Sequence, residues 1–227
     1  HTWTWTSAYP YLPATSSLPV GSLSVRGFDV RMVQSANGGA TLPNTLERAR
    51  QQLAVPPLIP IDLAATSIVQ VLSWDKTGTP GSDPANVPGL CSGTYDNIAV
   101  ESLAYLELKA GVHRFHIRTD DRAGVYSAPR FADADAQVLW ENPGNTADST
   151  FEFYVEADGL YPVRSLWEET GGGAHHHLYS VDPNSLAEAL INDPLDPDGV
   201  VRAWYPLVCR SAATVTGPYG VEPKAAN

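Results

Sequence analysis

The stretch Tyr105-Leu-Glu-Leu-Lys-Ala-Gly-Val-His-Arg-Phe-His-Ile-Arg-Thr-Asp-Asp121 decides the fold. Tyr105 to Leu108, and then His113, Phe115 and Ile117, have the period of half-buried strands, and Lys109-Ala110-Gly111 turns one into the other. The hairpin ends on Arg118-Thr119-Asp120-Asp121. Two adjacent carboxylates where a strand leaves a sheet either share a cation or repel each other in solvent, and only the first arrangement makes a compact ligand site.

The same period recurs on both sides of this hairpin. Phe28, Val30 and Met32 alternate with Asp29 and Arg31, Ile68 to Trp74 is rich in β-formers, and Phe151, Phe153 and Val155 alternate with Glu152, Tyr154 and Glu156. Asp158-Gly159 turns the last of these into Leu160 to Trp167. Gly171-Gly172-Gly173 then breaks the chain before a strand at His175 to Val181, and Val200 to Val208 reads as the final strand. Asn44 or Thr45 caps one short helix, with Leu46, Ala49 and Leu53 on one face and Pro56-Pro57 as its stop. Short strands separated by Gly and Pro turns predict an all-β sandwich or barrel. Residues 1–25 form an aromatic, Pro-rich N-terminal arm, 26–208 the body and 209–227 a C-terminal tail.

With 227 residues, 43% of them hydrophobic, the chain can bury the core of one large domain. A formal charge of -11 argues against nucleic acid, which needs clustered Lys and Arg, and suits a neutral sugar or a cation. No stretch approaches the roughly 20 apolar residues that span a bilayer, and the start of the chain does not read as a signal peptide, so a mature or excised segment is expected. Cys91 and Cys209 lie far apart without metal-ligand spacing. They are either a disulfide, which adds about 4 to 5 kcal/mol in the chain-entropy model, or two buried thiols.

The order of motifs, from Tyr105–Asp121 through Phe151-Glu-Phe-Tyr-Val and Asp158-Gly-Leu-Tyr-Pro-Val-Arg-Ser-Leu-Trp-Glu168 to the glycine-broken loop, resembles the protective-antigen-type (PA-fourteen) domain. That domain occurs in an anthrax toxin component, in yeast flocculins and adhesins, and attached to bacterial glycosidases. The resemblance covers about residues 95–205, and residues 26–55 are similar to an N-terminal part of bacterial relatives. It implies an antiparallel β-sandwich of jelly-roll type with one short helix and extended terminal arms. It also implies a secreted, extracellular, non-catalytic carbohydrate-binding or adhesion module whose partner is a glycan or cell-surface polysaccharide. In lectin members, two aspartates joined by a cis peptide hold Ca²⁺, which takes sugar hydroxyls, and the matching positions are Asp120 and Asp121. Such an ion takes six to eight oxygen ligands. The chain departs from the pattern with Arg122-Ala123-Gly124 after the pair and Gly173-Ala174-His175 where many members place Asn. The alternative is a carboxylate pair that caps loop amides or bonds Arg118 and Arg122.

Aromatic faces stack on pyranose rings, and Trp74, Trp140 and Trp167 lie near loops. Trp167 and His175 complete a ligand-binding set with Asp120 and Asp121. Trp3 and Trp5 can instead cover a hydrophobic strip or a neighbouring molecule, giving a second reading, a structural subunit forming a homo-oligomer or filament through its arms. In a strand, His175 and His177 share one face and His176 takes the other, and His113 and His116 also face opposite ways. Two imidazoles on one face can bind Zn²⁺ or Cu²⁺, or simply be polar strand residues. His1 matters as a copper ligand of an oxidase only if it is the natural terminus. Asp193-Pro-Leu-Asp196-Pro-Asp198-Gly199 lacks the spaced series of a Ca²⁺ loop and reads as a turn. Glu168 and Glu169 point apart on a strand and make no acid–base pair, and no catalytic motif appears elsewhere, so no enzyme is expected.

Overall fold

The computed structural model describes residues 9–36, 40–75, 87–90, 96–128, 136–142, 144–195 and 201–206. His1, Trp3, Trp5, both cysteines, residues 196–199 of the acidic turn and the 209–227 tail lie outside the described residues. In chain order the strands are β1 (Tyr11–Leu12), β2 (Phe28–Gln34), β3 (Leu63–Val69), β4 (Ser73–Asp75), β5 (Ile98–Leu108), β6 (Gly111–Asp120) and β7 (Ala123–Ser127). They continue as β8 (Gln137–Glu141), β9 (Thr146–Val155), β10 (Gly159–Glu169), β11 (His175–Val181), β12 (Glu188–Leu190) and β13 (Arg202–Trp204), with one α-helix among the described residues, α1 (Leu46–Leu53). Among the described residues no helix is long and apolar enough to cross a membrane.

The strands form two sheets, one in the order β1-β9-β6-β11-β12 with β4 also on β11, the other β3-β2-β5-β10-β7-β8 with β13 on β5. All pairings are antiparallel except β1 with β9. Alternation places Phe115 and Ile117 of β6 and Phe151, Phe153 and Val155 of β9 opposite Val100, Leu106, Tyr161, Val163 and Trp167 of the facing sheet. Edge-to-face contacts of Phe115 with Phe151 (5.8 Å) and Phe153 (5.0 Å) fill the middle of that layer. On the far side of the second sheet, Leu46, Ala49 and Leu53 of α1 cover Val33, Ala99, Tyr126 and Leu166. Thr45 caps this helix, its side chain accepting from the Arg48 amide at 3.1 Å.

Several boundaries differ from the sequence expectation. Ile68 to Trp74 is two strands, because Gln70 and Leu72 leave the β3 ladder and β4 joins the opposite sheet on β11. Of the expected last strand, Arg202–Trp204 is strand and residues 201, 205 and 206 are not, while residues 200, 207 and 208 lie outside the described residues. β7 carries no alternation because all five of its residues are buried, with Val125 in the inter-sheet core and Tyr126 under α1. From the N-terminal segment, Tyr11 stacks on Tyr154 at 6.0 Å and Leu18 bridges Leu160, so residues 11–18 are tied to both sheets.

Phe153 is fully buried, whereas Val112 is 50% exposed. Phe153→Ala is expected to cost about 3 to 5 kcal/mol in chemical denaturation and Val112→Ala less than about 0.5 kcal/mol; equal losses would mean that the face carrying Phe153 is not the core.

Candidate functional site

The β5–β10 ladder pairs Ile98 with Glu169 and Leu108 with Gly159, so the end of β10 lies beside the start of β5. β6 reaches the same end through Asp120, which faces His175 at the start of β11. Between β10 and β11 runs the turn Thr170 to Ala174, and Gly171 (φ 158°) and Gly172 (φ 107°) adopt a backbone that side chains disfavour. The rim of the sandwich here is therefore built from the end of β6, this triglycine turn and the start of β11.

The peptide joining Asp120 to Asp121 is cis, the geometry that the family resemblance implies. The two carboxylates have different surroundings. Asp121 is 7% exposed, and its Oδ2 accepts from the Thr170 amide (3.0 Å) and hydroxyl (2.5 Å). Asp120 is half-buried, and its carbonyl accepts from Trp167 Nε1–H at 2.8 Å. A Cβ on Gly173 would stand 3.0 Å from Asp120 Oδ2, so the glycine keeps a cradle open that a side chain would fill. Asp96 lies beside the same turn, its Oδ1 3.3 Å from where a Gly171 Cβ would be. Burial, then the neighbouring Asp121 charge, raise the Asp120 pKa, and His175 opposes them.

The donors at this rim are carboxylate oxygens and backbone, the chemistry that a hard cation such as Ca²⁺ takes. Among the described residues no three His, Cys, Asp or Glu side chains form a ready metal cage. An ion on Asp120 and Asp121 would complete its shell with carbonyls, water or ligand hydroxyls. The two arginines beside the pair are directed elsewhere: Arg122 Nε donates to the Asn44 carbonyl at 3.0 Å, and Arg118 faces Asp148 and Glu188. Asp121 thus takes the loop-capping role and Asp120 presents the open carboxylate.

Beneath the pair lies a buried polar base. Arg48 of α1 pairs with Glu168 and donates to Gln52 Oε1 (2.6 Å) and the Ile98 carbonyl (2.8 Å). Burial pushes the Arg48 pKa down to about 10, while Asp121 and Glu169 hold it up. Glu168 and Glu169 are both fully buried on opposite faces of β10, as expected of strand neighbours, and Glu169 Oε1 accepts from the Gly171 amide at 2.7 Å.

Trp167, read from sequence as a stacking face for a ligand, is 1% exposed. Its ring lies 5.5 Å from His176, which also stacks on Trp74 at 5.9 Å, so its role is to carry the Asp120 carbonyl from inside the core. Trp74 is likewise buried, and Trp140 stacks on Phe151 at 6.0 Å. His175 and His177 lie on the outer face and His176 inside, bonded to Ser165 Oγ at 3.0 Å. His116 faces out to Asp148 and Glu188, and His113 packs on Phe153. Asp96 and Thr170 were not singled out from sequence, since a lone Asp in a turn and a Thr after a strand carry no local signal.

No sequence-family model matches the chain, and no curated protein matches it in sequence. Among solved structures it is similar to the PA14 sugar-binding domain of an RTX adhesin, at 20% identity and TM-score 0.56, covering 81% of this chain and 100% of that one. It is also similar to the epithelial adhesin 9 A domain from Candida glabrata in complex with Galb1-4GlcNAc, at 17% identity and TM-score 0.59, covering 80% and 92%. The PA14 domain of the MpAFP antifreeze protein matches at 16% identity and TM-score 0.53, covering 81% and 95%. The chain has the all-β sandwich fold of PA14 domains.

Removing Arg48 alone leaves Glu168 buried without its partner, so Arg48→Met is expected to cost about 3 to 5 kcal/mol, whereas Arg48→Met with Glu168→Met costs far less; a double-mutant cycle in urea reads the difference, and additive losses would show the pair uncoupled. His176, its pKa pushed down to about 3 by burial and then by His177 and His175, stays neutral in the fold. The unfolded ring binds a proton below about pH 6.5, so stability present above that value is lost as pH falls toward 3, at about 1.4 kcal/mol per unit. His176→Met should reduce the slope of stability against pH in that window by about one proton, and an unchanged slope would refute the assignment.

Proposed function

We propose that this chain is an extracellular, non-catalytic carbohydrate-binding or adhesion module that recognises glycan hydroxyls at the rim formed by β6, β11 and the triglycine turn. The reading is supported most by one observation: Asp120 stands half-exposed beside the cradle that Gly173 leaves open, while Asp121 is fixed to Thr170. Ca²⁺ suits this oxygen-rich setting, with Asp120 and the remaining oxygen of Asp121 as its protein carboxylates. When bound, the ion supplies a positive centre for vicinal sugar hydroxyls.

The chain's own residues carry the rest of the work. Trp167 fixes the Asp120 carbonyl from the core, Asn142 Nδ2 donates to the Asp121 carbonyl at 3.2 Å, and Thr170 orients the Asp121 carboxylate. His175, register partner of Asp120, borders the ligand on the sheet side. The similarity to glycan-binding adhesin domains supports the ligand class.

Calorimetric titration with Ca²⁺, followed by a glycan array with Ca²⁺ and with chelator, tests the proposal. Asp120→Asn is expected to weaken Ca²⁺ binding by about tenfold or more, about 1.4 kcal/mol, and to abolish glycan retention. Glycan binding that survives both chelator and Asp120→Asn would remove the ion from the reading, and no retention of any glycan in either condition would remove the function itself.

A further inference from the structure

We propose that the outer face of β11 carries a site for a borderline divalent cation, Zn²⁺ or Cu²⁺, chelated by the imidazoles of His175 and His177. The two residues are two apart on a strand held on both sides, by β6 through Asp120, Thr119 and Arg118 and by β4 through Asp75, Trp74 and Ser73. Their Cβ atoms therefore project from one face on a fixed backbone, and the rings lie side by side with centroids 6.0 Å apart and planes inclined by 32°. Rotation about the side-chain bonds brings one nitrogen of each to a shared ion at about 2.0–2.1 Å without moving the strand.

The neighbouring strand β4 orients one of the two rings. His177 Nδ1 lies 3.1 Å from Ser73 Oγ, which leaves Nε2 as the nitrogen for a metal. Such a bond on the opposite nitrogen is how ligating imidazoles are oriented. Asp75 is the register partner of His175 on β4, and its charge reaches His177. Because no third ligand is already in position among the described residues, the remaining coordination is water or a donor from a second molecule. Imidazole nitrogen separates this site from the oxygen-lined rim at Asp120, which a hard cation prefers.

The test is calorimetric titration of the full chain with Zn²⁺ in excess Ca²⁺, so that any hard-cation site at the rim is filled. Both rings are outside the core, and circular dichroism checks that the variants fold. His175→Asn and His177→Asn are each expected to weaken Zn²⁺ binding by about tenfold or more, and the double variant to lose it, whereas Asp120→Asn weakens it less than either. Imidazole ¹⁵N shifts of His175 and His177 on Zn²⁺ addition are the accompanying signature. Absence of Zn²⁺ binding by the unsubstituted chain, or binding that the double variant retains, overturns the proposal.

Discussion

The ladder between β5 and β10 is the constraint on which the rest depends. Eleven consecutive residue pairs, Ile98 with Glu169 through Leu108 with Gly159, lock these strands in one register. A slip of one residue would exchange every side chain between the two faces of the sheet. Trp167 would leave the inter-sheet core and Glu168 would enter it, so both the Asp120 contact and the Arg48 pair would be lost together. The fold and the rim are therefore specified by the same pairing.

That register also explains how two adjacent carboxylates acquire different characters. The chain delivers Thr170 to Asp121 directly after β10 ends, and the following glycines withdraw side-chain bulk from Asp120. One carboxylate becomes part of the scaffold and its neighbour stays available. The buried base of Arg48, Gln52 and Glu168 joins α1 to this arrangement, so the helix acts as a floor beneath the rim as well as a cover for the second sheet.

Much of the architecture was legible in the sequence because the strands that face solvent on one side announce themselves by alternation. Phe28 to Met32, Tyr105 to Leu108, His113 to Ile117, Phe151 to Val155, and His175 to Val181 all fell within observed strands, and Leu46 to Leu53 within the helix. β7 was not legible, since a strand buried on both faces has no alternation to read. β12 pairs through three residues only, too few for a pattern. At the rim, Asp120, Asp121 and the glycine turn could be picked out as a motif, but the fate of Trp167 could not: proximity to a loop in sequence says nothing of which side of the sheet the ring occupies. Asp96 approaches Gly171 from the turn that enters β5, a proximity set by tertiary structure alone.

The triglycine turn sets a limit on how this rim can diversify. At Gly172 nothing stands within 4 Å of the position a Cβ would take, yet its φ of 107° is one that L-residues resist. Vacant volume and forbidden torsion coincide there. Point exchange is thus a poor route to new specificity, and lengthening the segment, so that a residue with ordinary dihedrals can lean over Asp120, is the cheaper path for a lineage or a designer seeking a different ligand.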